Sequence, residues 1–163
     1  MLAAGPGLFT GLGSQDASDE GMDKLSPERR SANMRQIRSK HTAPEMAVRR
    51  LVFQMGYRYR LHVRTLPGSP DLVFPRLRKI VLVHGCYWHP HRGCSFSHQP
   101  KSHQDYWLPK LSRNRQRDRQ NIRRLTRLGW TVLVVRECEV QDRAGLAQKL
   151  SDFLKGELNR KSR

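Results

Sequence analysis

The chain has 163 residues, 37% of them hydrophobic, with a formal net charge of +17 and a pI near 11.0. That length suits one domain with its own core, and that charge points to a polyanion as partner. No apolar run approaches a membrane span, no basic segment leads into an apolar signal, and three cysteines are too few for a disulfide scaffold. An integral membrane protein and a disulfide-built secreted module are thereby excluded, and the expected location is the cytoplasm.

In chain order, residues 1–23 are Gly-rich, carry Asp16, Asp19, Glu20 and Asp23, and hold no Lys or Arg, so they read as a disordered acidic extension. The single domain is placed at 24–158, with a basic tail at 159–163. A polar helix is expected over Pro27 to Ile37, with Met34 and Ile37 among its few apolar residues. A stronger one follows Thr42: Val48, Leu51, Val52 and Met55 recur at helical spacing and Gly56 is a natural stop. An extended segment at 57–63, a turn at Pro67-Gly68-Ser69-Pro70 and a hairpin-like pair of strands at 71–74 and 79–84 come next. A long helix over 105–128 places Trp107, Leu111, Asp118, Ile122 and Leu125 near one face. Gly129 ends it, a strand covers 131–136, and a last helix uses Leu146, Leu150, Phe153, Leu154 and Leu158, with Gly156 weakening its final turn. This order predicts an α/β fold, a mixed sheet flanked by helices.

The long helix also carries the charge. Arg113, Arg115, Arg117, Arg119, Arg123, Arg124 and Arg127 fall within fifteen residues, with Asp118 the only acid among them. A merely solvated face mixes signs, so this cluster favours nucleic acid.

Chemistry concentrates in residues 84–94, His-Gly-Cys-Tyr-Trp-His-Pro-His-Arg-Gly-Cys, directly after the apolar run Ile80-Val81-Leu82-Val83. Cys86, His91 and Cys94 are borderline or soft ligands from one loop, and Cys138, after the next strand, completes a four-ligand Zn2+ set that uses every cysteine. Four protein ligands leave no open position, so such a zinc is structural; the plain alternative is a group of unreactive thiols. Asp71 opens a strand beside the one that delivers His84 and His89. A carboxylate there suits Mg2+ and the imidazoles suit proton movement, whereas an Asp after Pro is often only a turn residue. Thr42-Ala43-Pro44-Glu45 is a capping box, with Glu45 expected to reach back to the Thr42 amide. Yet Glu45 lies three residues before Val48, on the buried face, where its carboxylate needs a histidine or a hydrated metal as partner. Tyr87, Trp88 and Trp107 are candidates for stacking against bases, with core packing as the ordinary alternative. Trp130 is read as core.

The segments Arg30 to Arg35, Thr42 to Glu45, Leu66 to Asp71, His84 to His89, Asn114 to Asp118 and Leu128-Gly129-Trp130 through Cys138, in that order, resemble the very-short-patch mismatch repair endonucleases, bacterial strand-specific DNA nickases. The resemblance implies a restriction-endonuclease-like fold. It implies that Asp71 and the backbone carbonyl of Val83 hold Mg2+, that His89 is the general base with help from Glu45, that His84 lies near the scissile phosphate, and that zinc sits on Cys86, His91, Cys94 and Cys138. Tyr87, Trp88 and Trp107 match an aromatic wedge, Met34 and Ile37 of a DNA-contacting helix at 24–40 brace the opposite groove, and Asn114, Arg115, Arg117 and Arg119 contact the backbone. The implied activity is a nick on the 5′ side of the thymine in a T·G mismatch of double-stranded DNA, by a nucleoid-associated monomer with a MutL-type protein as a further partner. Tyr87 stands where Phe is common in the family and Val83 where Thr occurs. The competing readings are a nicking endonuclease with another DNA target and a non-catalytic, zinc-stabilised DNA-binding protein.

Overall fold

The structure is a computed structural model that describes residues 26, 29, 40–89, 91–97 and 103–156. Helix α1, Ala43–Gln54, starts where Thr42 Oγ1 accepts the Glu45 amide at 3.4 Å and stops at Met55, after which Gly56 adopts a φ of +86°. Strand β1 is only Arg60–Leu61, shorter than the extended segment expected at 57–63. Tyr57 and Tyr59 leave the ladder to pack edge-on against Phe74, and His62 turns the chain with a φ of 45°. Strands β2, Leu72–Phe74, and β3, Lys79–His84, form the expected antiparallel pair, with Leu72 opposite Val81. Helix α2, Gln104–Arg127, crosses over to β4, Thr131–Arg136, which pairs parallel with β3, and helix α3, Arg143–Lys155, closes the described chain. Gly156 ends α3 rather than loosening its last turn, as the cap donating to Asp152 O. Leu158, Met34, Ile37, the acidic extension, nearly all of the expected N-terminal helix and the basic tail lie outside the described residues.

The sheet order is β1-β2-β3-β4, mixed in direction, with helices on both faces. Strand alternation divides the core. Leu72, Phe74, Val81 and Val135 pack with Val48, Leu51 and Val52 of α1 and Leu146, Leu150 and Leu154 of α3. Val73 and Ile80, one residue out of phase, pack with Leu125 of α2 and with Trp130, which is core as expected. Because both faces are covered, the middle of β3 reads as an unbroken apolar run rather than an alternating one.

The 67–70 turn is held against α2. Gly68 has a φ of +76°, and a β-carbon there would come within 2.7 Å of the Asn121 amide, so glycine is required both for conformation and for room. The turn delivers Asp71 to the end of the sheet where β3 finishes.

Candidate functional site

An open cleft of about 790 Å3 lies at the carboxyl end of β3, lined by Thr42 and Glu45 of the α1 start, Asp71, Val83, Gly85, Tyr87, Trp88, His89, Glu137, and Lys110, Asn114 and Arg117 of α2. The elements set these positions physically. Odd-numbered residues of β3 face α1, so Val83 reaches the cleft floor, while Leu82 and His84 face α2. His84 accordingly lines a second pocket of about 140 Å3, which it shares with Asp71, His89, Leu82, Asp118 and Asn121.

Asp71 Oδ2 accepts the Val83 amide at 2.8 Å, which fixes the carboxylate across the β2–β3 ladder and leaves its other oxygen free of the sheet. Burial, opposed by that amide and reinforced by Glu45, pushes its carboxyl up to about 6. A cation beside it would therefore gain a carboxylate that the protein alone holds partly protonated near neutrality.

His89 stacks on His84 with ring centroids 3.9 Å apart and planes 16° from parallel. Its Nδ1 lies 3.3 Å from Asp118 Oδ2, in ion-pair range. Burial lowers the His89 pKa against the pull of Asp118, and the nearby Arg117 and Arg115 lower it further; burial takes His84 down to about 4. Both rings are thus neutral at pH 7. Asp118, the only acid among the clustered arginines, is the carboxylate that faces the His89 ring.

Glu45 is buried and corrects one expectation. Its Oε2 accepts the amide of His41 at 2.7 Å, one residue before the Thr42 amide expected for a capping box. Its Oε1 meets Arg49 and, at 3.1 Å, His62, so a histidine is among its partners as expected. Arg49 stands four residues after Glu45, a spacing that pairs side chains on a helix and was legible in advance; nothing in the sequence pointed to His62.

The aromatics form one group. Tyr87 meets Trp88 at 5.1 Å and Trp107 at 6.1 Å, and Lys110 Nζ lies over Trp88, Tyr106 and Trp107. Tyr87 and Trp88 line the cleft, and Trp107 is buried against both. Asn114 and Arg117 line the cleft, whereas Arg115 and Arg119 are exposed on α2.

Beside the cleft, Cys86, His91, Cys94 and Cys138 bring one ligand atom each to within 4.8 Å of all the others. His91 Nε2 is 3.4 Å from Cys86 Sγ and 3.5 Å from Cys138 Sγ. A tetrahedral zinc with ordinary bond lengths separates sulfur and nitrogen ligands by about 3.6 Å, so the four residues fit a metal of that size. Burial pushes the Cys86 thiol up to about 12, and a cation at the centre is what would make it a thiolate. The loop is tied to the cleft wall by the Cys86 amide, which donates to Glu137 Oε2 at 3.1 Å.

Residues 22–95 match the family model described as DNA mismatch endonuclease Vsr. The type II nicking enzyme V.XorIIP of Xanthomonas oryzae pv. oryzae is 51% identical over 132 residues, 81% of this chain and 96% of the relative. The DNA mismatch endonuclease Vsr of Escherichia coli is 38% identical over 133 residues, 78% of this chain and 85% of the relative. A solved structure, the homing endonuclease I-Bth0305I catalytic domain, aligns with a TM-score of 0.48 at 20% identity over 69% of this chain and 93% of that one.

Proposed function

The chain belongs to the Vsr family of DNA mismatch endonucleases and is a DNA endonuclease, and from that premise we propose that it nicks one strand of duplex DNA on the 5′ side of the thymine in a T·G mismatch, with Mg2+ at Asp71. The observation that carries the reading is the Asp71 carboxylate, locked by the Val83 amide on one side and open on the other to a cleft that also holds His89, Lys110 and Arg117. A divalent cation at Asp71 and the Val83 carbonyl would supply charge stabilisation for the phosphate oxygens and the leaving 3′ oxygen.

The chain's own groups divide the remaining work. With Nδ1 directed to Asp118, His89 has Nε2 free to take a proton from the attacking water. Water oxygen bonds to phosphorus, the bond from phosphorus to the 3′ oxygen breaks, that oxygen is protonated, and the products are a 3′-hydroxyl and a 5′-phosphate. Glu45, paired with Arg49, lines the far wall of the cleft, and neutral His84 stacks on the His89 ring. Arg117, Asn114 and Lys110 line the cleft where a phosphate backbone would run. Tyr87 and Trp88 are the wedge pair. A T·G pair is weakly stacked, so separating its step, which costs on the order of a few kcal/mol elsewhere, costs less there. Cys86, His91, Cys94 and Cys138 would hold Zn2+ as a structural staple.

The test is incubation with Mg2+ and end-labelled duplexes, either matched or carrying one T·G pair, in several sequence contexts. A cut confined to the thymine strand of the mismatched duplex supports the reading. Equal cutting of matched duplex at a fixed sequence would replace it with a nicking enzyme of another specificity, and binding without any cut would leave a zinc-stabilised DNA-binding protein.

A further inference from the structure

The group behind Asp71, buried at Glu45 and Arg49 and exposed at His41, has a composition that the proposed chemistry does not use. One ligand atom each from His41, Glu45 and His62 lies within 4.8 Å of the other two, the arrangement of a metal site. The Arg49 guanidinium occupies that convergence point. Its Nη1 is 2.9 Å from His41 Nδ1, and its Nη2 contacts Glu45 Oε1 and lies 3.0 Å from His62 Nε2. Arg49 is itself buried, and the only titratable groups meeting its guanidinium at hydrogen-bond range among the described residues are these three.

Arginine only donates, so both facing ring nitrogens accept. His62 Nε2 also lies 3.1 Å from Glu45 Oε1, and its Nδ1 looks at Asp71 Oδ1 from 4.0 Å. Two imidazole lone pairs and a carboxylate oxygen thus converge on one positive charge, with His62 standing between that charge and the Asp71 carboxylate. This is the ligand set and the spacing that a hydrated divalent ion would take if the guanidinium were gone.

We propose that Arg49 is a built-in cation at the position of a second divalent metal ion, so that Glu45 is withheld from metal and the cleft takes a single ion, at Asp71. The last clause rests on the reading of Asp71 given above; the role of Arg49 does not. Arg49 is a positioning residue in this account, since it acts through Glu45 and His62. If it were only the salt-bridge partner of a helix start, removing it would lower stability without creating any new affinity for metal.

The experiment is a Mn2+ titration of the full-length, zinc-loaded protein, with the free ion counted by its paramagnetic resonance signal and folding checked by the thermal midpoint. The expected result is one ion for wild type, none for Asp71→Ala, and two for Arg49→Met, which keeps apolar volume but loses the charge. Adding Glu45→Gln to Arg49→Met returns the count to one. Two ions in wild type, or no gain in folded Arg49→Met, overturns the proposal. Should Arg49→Met not fold, Glu45→Gln alone decides: a retained single ion supports the proposal and a lost one contradicts it. An ion that survives Asp71→Ala sinks the Asp71 reading alone, because the gain of one ion on replacing Arg49 is counted relative to wild type.

Discussion

Two polar clusters grow from the carboxyl end of β3 only two residues apart, and they are built in opposite ways. The group around Asp71 uses carboxylates and imidazoles, opens to a cleft of about 790 Å3, and keeps one Asp71 oxygen clear of the backbone. The group around Cys86 uses three thiols and one imidazole whose ligand atoms all converge on one point. Hard ligands with an open position suit reaction at a metal; soft ligands with none suit holding a loop. Glu137 joins the two, because it lines the cleft and accepts the Cys86 amide. The difference teaches that metal-binding residue types close together in sequence need not serve one site: strand phase and the partner elements decide.

The comparison breaks most visibly if the open cluster is not the reactive one. Asp71→Asn is expected to reduce nicking by about three decades or more, the scale of lost cation and charge stabilisation, in single-turnover assays. The same change is expected to stabilise the metal-free fold. Because burial raises the Asp71 carboxyl to about 6, its favourable contribution is complete in acid, below its unfolded value, and is lost as pH rises through about 6. Removing that charge returns on the order of 1–3 kcal/mol at pH 7, readable in thermal midpoints with chelator present. A gain in stability with a loss of activity is the mark of a functional carboxylate.

His89→Ala is expected to lower the rate by about 10²- to 10⁴-fold, the range for a lost general base, with duplex affinity unchanged. Asp118→Asn has a smaller effect in the same direction, since it disturbs only the ring's orientation. Cys138→Ser addresses the closed cluster and is expected to release zinc and cost on the order of several kcal/mol of stability, while the folded fraction retains its chemistry. A rate defect at full folding would move that cluster into the reactive region.

The nicking rate is also expected to fall as pH drops through about 6, where Asp71 takes up its proton, and this acid limb moves to lower pH as Mg2+ is raised, because ion and proton compete for one carboxylate. Arg117→Ala has the smallest effect: a uniform loss of affinity and a salt-dependence slope shallower by about one.

Much of this was legible from residue types and spacing. The helices starting at 43 and 104, the hairpin, the β4 strand and the four-residue Cys/His set follow from periodicity, glycine stops and ligand chemistry. What escaped the sequence was set by tertiary geometry. His62 lies where the extended segment ends early and turns with positive φ, a consequence of Tyr57 and Tyr59 packing on Phe74. Strand alternation turns His84 toward α2, where it stacks on His89 and shares a pocket with Asp71, a contact that spacing alone does not give. Trp107 is buried against Tyr87 at the start of α2, a grouping with Tyr87 and Trp88 that only the fold reveals. Asp118 was marked as unusual among arginines, and only the fold shows that it meets His89.

Stripping all metals from the full-length protein and restoring them singly tests the division of labour most directly. Zinc alone is expected to restore the thermal midpoint and no nicking, and Mg2+ added to zinc-loaded protein is expected to restore cutting of the thymine strand in a T·G duplex. Nicking with zinc alone, or an unchanged rate without Mg2+, would contradict the account.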